Sequence, residues 1–279
     1  MSTLYLVGTP IGNLEDISPR ALDVLKTVSL IAAEDTRTAR QLLTHFEIHT
    51  PVTSFFEHSK SGKVDHILDA LGAGDVAVIS EAGMPGINDP GFELVRAALE
   101  RGVAVSPIPG ASAVMTALVA SGLPATSFYY LGFLPREKRA RRSLLREVAD
   151  QTDTLIAFET PRRLRDALED MEAILGGTRQ ICVARELTKK FEEFQRGTIG
   201  DARQHFLENE PRGEFTLVIA GATADRRRAT VEPVWDDARV KREFQKLIKE
   251  GMPRTEAVKH ITQASKWERR RVYQLTLKK

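Results

Sequence analysis

The stretch Ser80-Glu81-Ala82-Gly83-Met84-Pro85-Gly86-Ile87-Asn88-Asp89-Pro90-Gly91 constrains this chain more than any other. It follows an apolar, strand-like run, Val76 to Ile79, and precedes a helical pattern, Phe92 to Leu99. Loops that leave a strand and enter a helix are where α/β proteins hold ligands. Its glycines let backbone amides and carbonyls approach a ligand closely, and Pro85 and Pro90 restrict the loop's shape. A packed core has no use for so many glycines, prolines and acids in one connection. The plain alternative is a long turn.

The rest of the first half repeats the same grammar. Strands are expected at Leu4–Gly8, Leu30–Ala33, Val52–Phe55, Val76–Ser80 and Val103–Ile108. Helices are expected at Ser18–Thr27, Thr36–His45, Lys63–Leu71, Phe92–Glu100 and Ser112–Ser121. Alternation of this kind predicts a mainly parallel sheet covered on both faces. Gly122-Leu123-Pro124-Ala125 reads as a boundary. Beyond it, strands at Phe128–Phe133, Thr154–Phe158, Ile181–Arg185, Glu193–Thr198 and Glu214–Ala220 form a second, mixed sheet. Its helices are expected at Arg136–Ala149 and Pro161–Leu175, with Pro161 suited to a first helical turn.

Residues 223–234, including Arg226-Arg227-Arg228, have linker composition. A short helical module follows over 235–279. Val240, Phe244, Leu247 and Ile248 make one apolar stripe, Gly251-Met252-Pro253 breaks it, and Ser265 is placed to cap a last helix bearing Trp267 and Arg269-Arg270-Arg271. Short basic helices with tight turns resemble helix-turn-helix modules. The expected organisation is therefore 1–121, an α/β domain with ligand loops; 122–222, an α/β domain completing a cleft; a linker at 223–234; and a basic helical module at 235–279.

Charge supports a division of labour. From Trp235 to Lys279 there are 13 Lys and Arg against 6 Asp and Glu, whereas the preceding residues hold 27 against 32. A basic tail on an acidic body suits an anionic partner, or else is a solvated helical face. The chain has 279 residues, 42% of them hydrophobic and 28% charged, which describes a folded protein with a real core. Its apolar runs are too short to span a membrane, and the N-terminus lacks the basic flank of a signal peptide. The single cysteine, Cys182, sits in an apolar run; it excludes an internal disulfide and fits a reducing cytoplasm. The six histidines lack metal-ligand spacing, so no metal is expected.

Further loops stand after expected strands. Gly8-Thr9-Pro10-Ile11-Gly12-Asn13 is neither a Walker loop nor GxGxxG, which argues against nucleoside triphosphate and ordinary dinucleotide binding. Ala33-Glu34-Asp35-Thr36-Arg37 follows the second strand, and Pro109-Gly110-Ala111-Ser112-Ala113 opens a helix whose amides could hold an anionic group or a carbonyl. Glu159-Thr160-Pro161-Arg162-Arg163-Leu164 and Ala184-Arg185-Glu186-Leu187-Thr188-Lys189 occupy matching places in the second half.

Together these motifs resemble the tetrapyrrole-methylase superfamily of S-adenosylmethionine-dependent methyltransferases. Within it the similarity is greatest to a subfamily that modifies small-subunit ribosomal RNA. Its marks are an opening like LYLVGTPIGNLEDIS, then AEDTR, S-[DE]-AG-x-P-x-x-x-DPG, PG-x-SA, GFLPR, E-x-x-RL, and ARELTK with a later GE strand, all present in order from Leu4 to Ala220. Glu81 stands where aspartate is more often found. The resemblance implies a two-domain class III methyltransferase fold, a cofactor cleft between the domains, a homodimer and no metal. It also implies methylation of a cytidine ribose 2′-hydroxyl in the decoding region of 16S ribosomal RNA.

The chemistry narrows the residues. A sulfonium already activates its methyl group, so the protein must align acceptor oxygen, methyl carbon and sulfur and exclude water. Carbonyl-rich loops suit the cation, and backbone donors suit the adenine edge and the methionine carboxylate. Pro10, Ile11, Glu81, Met84, Asp89, Ser112 and Ala113 are the expected cofactor contacts from the first domain. Phe158, Ala184, Arg185 and Thr216 are those of the second; for Phe158, Ala184 and Thr216 core packing is the competing reading. Asp35 and Glu159 end strands and are the candidate general bases. Alternatively each pairs structurally with a neighbouring arginine, Arg37 or Arg162. RNA contacts are expected from Arg37, Arg136, Lys138, Arg139, Arg141, Arg142 and Arg162, and from Arg269, Arg270 and Arg271. Two other functions share much of this pattern: methylation of a corrin-type small molecule, and ribosome binding without catalysis.

Overall fold

A computed structural model of the protein describes residues 2–55, 61–89, 91–223, 235–265 and 267–277. Pro90 and the linker residues 224–234 lie outside the described residues. The chain divides into two compact units, Met1–Ala222 and Thr223–Lys279.

The first unit contains two five-stranded sheets. Strands β1 (Thr3–Val7), β2 (Leu30–Ala33), β3 (Val52–Ser54), β4 (Val76–Ile79) and β5 (Ala104–Ile108) are all parallel, in the order β3-β2-β4-β1-β5. Central β4 is buried at all four positions, as its uninterrupted VAVI run requires of a strand covered on both faces. Helices α1 (Pro19–Thr27) and α2 (Thr36–His45) cover one face, and α3 (Ser61–Ala70) and α4 (Phe92–Glu100) the other. Leu25 and Leu43 are buried from the first pair, and Ile67 and Leu94 from the second.

The second sheet is mixed: β6 (Phe128–Phe133) runs parallel to β7 (Thr154–Glu159), while β10 (Phe215–Ile219), β8 (Gln180–Arg185) and β9 (Glu193–Thr198) continue it in antiparallel pairs. Three helices cover one face: α6 (Lys138–Glu147), α7 (Pro161–Leu175) and α8 (Ile199–Glu208). Pro161 does stand in the first turn of α7. Helix α8 was not expected from the sequence; it begins on a capping box in which Thr198 and Asp201 satisfy each other's amides.

The other face of this sheet receives α5 (Ala113–Ser121), which belongs in sequence to the first half. Val114, Ala117 and Leu118 pack on Ile156, Cys182, Ala184 and Val218. Arg196 on β9 donates to the carbonyl of Ala120 at 2.6 Å. Helix α5 thereby fixes one sheet against the other and sets the space between them. It closes on Gly122, whose φ of 80° is the left-handed cap that glycine accepts without strain.

The second unit consists of α9 (Asp237–Lys249), α10 (Arg254–Ser265) and α11 (Arg269–Leu277). Val240, Phe244, Leu247, Val258, Ile261 and Val272 form its core. Ser265 is not the cap of the last helix. It closes α10, where its hydroxyl donates to Ile261 and accepts from the amide of Trp267, so Trp267 precedes α11. No helix among the described residues is long and apolar enough to cross a membrane.

Candidate functional site

The loops after β1, β2, β4 and β5 lie at one edge of the parallel sheet because every one of these strands points the same way. The β1 and β4 loops are tied by a two-residue bridge, in which Thr9 and Gly83 exchange amide-to-carbonyl bonds of 2.9 and 3.1 Å. Both loops reach the second sheet. Asn13 donates its amide to the Thr188 hydroxyl at 3.0 Å, and the Asn88 side-chain amide donates to the Tyr130 hydroxyl. Asn88, Glu186 and Thr188 all have left-handed φ, at 62°, 49° and 63°. Strain of this kind persists where the surroundings over-determine the backbone, and here it borders the space between the sheets.

On the opposite wall, the strand register places Phe133, Phe158, Thr216 and Ala184 in one row across β6, β7, β10 and β8. The Phe158 ring stands edge-on to Phe133 and Tyr130, with centroids 5.5 and 5.4 Å away. Between this row and the loops lies a cleft of about 380 Å³. Among the described residues its lining contains five carboxylates, Glu34, Glu81, Asp89, Glu159 and Glu214, and no lysine, arginine or histidine. Phenylalanine rings and Ile11 and Ile87 supply apolar wall. Concentrated carboxylates beside aromatic rings suit a cationic ligand with an apolar body.

The carboxylates differ in character. Burial pushes the Asp89 carboxyl up to about 6, opposed by a hydrogen bond from Ser80 and reinforced by the charge of Glu81. Burial also raises Glu159, against the pull of the Thr160 amide and of Arg163. Glu159 is only 2% exposed. Its Oε1 accepts from the Thr160 amide at 2.7 Å and pairs with Arg163 at 2.7 Å, whereas its buried Oε2 has no hydrogen-bond partner. Asp35 is held low by Arg37, which it pairs at 3.0 Å, and its side chain accepts from the first amides of α2 as an N-cap.

The expected cofactor residues divide accordingly. Ile11, Glu81, Asp89, Ala113, Phe158 and Thr216 line the cleft, and Pro10 lines an adjoining depression. Met84 is half-buried beside Gly8, where a Cβ would come 2.7 Å from its sulfur. Ser112 caps α5 through a bond from the Met115 amide. The Ala184 side chain is enclosed with Val114, Leu118 and Val218, which leaves its backbone as what it can offer a ligand. Arg185 turns away from the cleft, donating to the carbonyl of Arg212 and pairing with Glu193 at the edge of a different depression. The candidate bases part company as well: Glu159 lines the cleft and Asp35 does not. Asp35 does pair with Arg37, but the partner of Glu159 is Arg163 rather than Arg162, as the four-residue spacing at the head of α7 dictates. Among residues not singled out from sequence, Glu34, Phe133 and Glu214 line the cleft. Glu34 lay inside the AEDTR motif, and Phe133 inside GFLPR.

The basic residues also sort by burial. Arg136, Lys138, Arg139 and Arg162 are exposed, as is Arg37. Arg141 is corrected: it is 3% exposed and pairs at 2.7 Å with fully buried Asp170 on α7. Arg142 reaches the other oxygen of Asp170 at 2.8 Å. These two arginines anchor α6 to α7 instead of facing a partner. Arg141 also donates to the Arg136 carbonyl, and Arg163 to that of Leu134, so both clamp the loop that follows Phe133. In the helical unit Arg269 and Arg270 are exposed. Arg271 lies over the Trp267 ring, 3.6 Å from its centroid, and pairs with Asp237, which joins α11 to α9.

A family model of tetrapyrrole (corrin/porphyrin) methylases matches residues 3–203. A protein of Synechocystis named ribosomal RNA small subunit methyltransferase I is 46% identical over 278 residues, covering 99% of this chain and 98% of its own length. The Bacillus subtilis protein of that name is 42% identical, covering 98% of this chain and 93% of its own. Among solved structures, diphthine synthase superposes with a TM-score of 0.61 at 15% identity, over 80% of this chain and 91% of that one. Cobalt precorrin-4 methyltransferase does so with 0.59 at 17%, over 78% and 94%. At such identities the two structures establish the shared fold.

Proposed function

Because the chain belongs to the tetrapyrrole (corrin/porphyrin) methylase family, we propose that it is an S-adenosylmethionine-dependent methyltransferase of small-subunit ribosomal RNA. The acceptor is a cytidine ribose 2′-hydroxyl in the decoding region of 16S ribosomal RNA. The observation that carries the reading is the cleft lined by five carboxylates and no basic side chain, which suits a ligand bearing a sulfonium and an ammonium.

Bound S-adenosylmethionine supplies a methyl group already activated for transfer. What remains for the protein is charge, alignment and dryness. Glu81 and Asp89 would offer the cation negative charge from the β4 loop, and Ala113 brings in the start of α5. Phe158 and Phe133 wall the cleft against water. Glu159 is the general base: its unpartnered Oε2 receives the proton of the acceptor hydroxyl, while Oε1 stays fixed by Arg163 and the Thr160 amide. Asp35, committed to Arg37 and to the start of α2, organises its loop.

The same proposal divides the chain. Residues 1–121 carry the cofactor loops, 122–222 complete the cleft, and 235–279 add a basic module for RNA. Arg37, Arg136, Lys138, Arg139, Arg162, Arg269 and Arg270 contact phosphates. The protein acts as a cytoplasmic homodimer. Support for the dimer comes from α5, where Met115 and Val119 are 48% and 74% exposed on an otherwise apolar helix.

Transfer of radiolabelled methyl from S-adenosylmethionine to small ribosomal subunits lacking this modification tests the reading. Label should appear at one cytidine and survive alkaline hydrolysis as a 2′-O-methylated dinucleotide. Binding of S-adenosylmethionine with no transfer to subunits or to naked 16S RNA would reject the assigned substrate.

A further inference from the structure

Beside the acid-lined cleft lies a second depression of about 310 Å³. The two share Ile11, Glu81 and Ala82, so they meet along the β1 and β4 loops. Their chemistry differs. Among the described residues the depression has one charged lining residue, Glu81, where the two hollows meet. The rest is neutral: Thr9 and Ser80 at its floor, 2% and 5% exposed, and Thr38, Gln41 and Leu42 from α2. Arg37 and Arg40 adjoin Thr38 and Gln41 in sequence, and both are exposed, Arg37 at 86% of its side chain. The pair Asp35–Arg37 fixes that guanidinium at the head of the helix.

From this contrast we propose that the depression is the pocket for the acceptor nucleotide, with Gln41 reading its base and Arg37 holding its phosphate. The inference rests on the reading of the neighbouring cleft as the cofactor site. A polyanion cannot approach through five carboxylates without strong repulsion, so the phosphates and base must lie on the other side of the shared loops, with only the ribose edge entering the cleft. The side rimmed by arginines and lined by neutral hydrogen-bonding groups fits them. Gln41 and Arg37 are four residues apart on α2 and so share a face, about 6 Å along the helix axis. An amide presents a donor and an acceptor together, as the edge of a splayed-out base requires, and a guanidinium matches phosphate. Leu42 offers apolar surface for the base or sugar. The ribose then lies where the two hollows meet, at Ile11, Glu81 and Ala82, with its 2′-hydroxyl turned into the cleft, where its oxygen bonds the methyl carbon as the carbon–sulfur bond breaks, the sulfur leaves as a neutral thioether and the proton passes to Glu159.

Two variants on exposed helical positions test this, Thr38→Trp to fill the pocket and Gln41→Ala to remove the reading group. The probes are S-adenosylmethionine alone, by calorimetric titration, and unmodified small ribosomal subunits, by methyl transfer. Both variants should bind S-adenosylmethionine within about twofold of wild type. Thr38→Trp should raise KM for subunits by roughly tenfold or more, and Gln41→Ala by several-fold, as expected for lost contact surface and lost hydrogen bonds. Wild-type KM and kcat in both variants would overturn the pocket while leaving the methyltransferase reading intact. Loss of S-adenosylmethionine affinity matching the loss of transfer would also overturn it, by making the depression part of the cofactor site. Absence of S-adenosylmethionine binding in the wild-type protein would instead remove the cleft assignment, and this inference with it.

Discussion

Gly8 and Gly110 stand backbone against backbone. A Cβ built on Gly8 would come 2.7 Å from the Gly110 nitrogen, and one built on Gly110 would come 2.8 Å from the Gly8 carbonyl carbon. Neither distance is tolerated between non-bonded atoms, so the β1 and β5 loops meet only because both residues lack a side chain. Gly110→Ala should push the loops apart. The expected cost is ~1–3 kcal/mol of stability, the usual range for overpacking. Affinity for S-adenosylmethionine should fall by more than stability alone predicts, because both loops border the cleft. Thermal denaturation and calorimetric titration of one preparation measure the two effects; an unchanged affinity would show that the loop spacing does not matter to the site.

Glu159 and Asp35 differ in ways that separate their roles. Glu159→Gln keeps the side chain's size and its burial but removes the proton acceptor. Single-turnover methyl transfer should fall about 10²-fold or more, the lower range for general-base loss, with S-adenosylmethionine affinity nearly unchanged. Asp35→Asn should cost far less, since asparagine still caps α2. Equal losses in the two variants would reject the assignment of the base to Glu159.

Asp89 makes cofactor binding depend on pH. Its folded-state carboxyl sits near 6, above the ordinary 3.8, because of burial. In the free protein the shifted carboxyl favours folding when protonated. That contribution is present below about pH 4 and is lost as pH rises through about 6. Binding a cation has the opposite sign, since it favours the ionised form. Affinity for S-adenosylmethionine should therefore weaken as pH falls through about 6. S-adenosylhomocysteine, which lacks the sulfonium charge, should show a shallower dependence, and Asp89→Asn should flatten both. Titrations across that range decide it; parallel curves for the two ligands would mean that Asp89 does not sense the sulfonium.

Much of this site was legible in the sequence because its parts are local. A glycine-rich loop after a buried strand announces itself within a dozen residues, and Pro161 marked the start of α7. What escaped depended on contacts between distant segments. Arg141 lies in a run of basic residues that reads as a solvated face, and its partner Asp170 is 29 positions away on another helix. Helix α8 was hidden by Gly197 and Gly200 around β-branched Thr198 and Ile199, although Thr198 and Asp201 carried the capping signal. Arg163 could have been preferred to Arg162 from helical phase alone. The inward turn of Glu34, beside outward Asp35, follows from the alternation of side chains at a strand end.

The buried Arg141–Asp170 pair belongs to stability. Asp170→Ala strips the partner from a guanidinium that is 3% exposed and weakens the hold on Arg142. Removing one member of a buried pair typically costs ~3–5 kcal/mol. Arg139→Ala, on the exposed face of the same helix, should change stability by no more than ~0.5 kcal/mol. In binding to ribosomal subunits the order should reverse: Arg139→Ala weakens it, whereas Arg141→Lys acts only through folding. Denaturant titration paired with filter binding separates these. A weakened RNA interaction in stable Arg141→Lys would place that residue back among the RNA contacts.

Truncation after Thr223 should leave a folded protein that still binds S-adenosylmethionine. Every cleft residue precedes that point, and both sheets have their own buried clusters within Met1–Ala222. The missing segment carries 16 basic residues against 8 acidic ones. If it engages RNA, each phosphate it neutralises releases counterions and steepens the dependence of binding on salt, by ~0.7 in log–log slope per contact on a single strand. Truncated protein should thus bind small ribosomal subunits more weakly and with a shallower slope. The change should fall short of the segment's full charge, because Arg271 is engaged by Asp237 and Trp267, and Arg239 lies over the Trp235 ring. Arg269→Ala with Arg270→Ala should reproduce part of the flattening in the intact chain. Binding measured at several salt concentrations for the three proteins gives the slopes. Identical slopes would assign the helical unit to a protein contact or to solvent, and the RNA interface would then rest on the first unit alone.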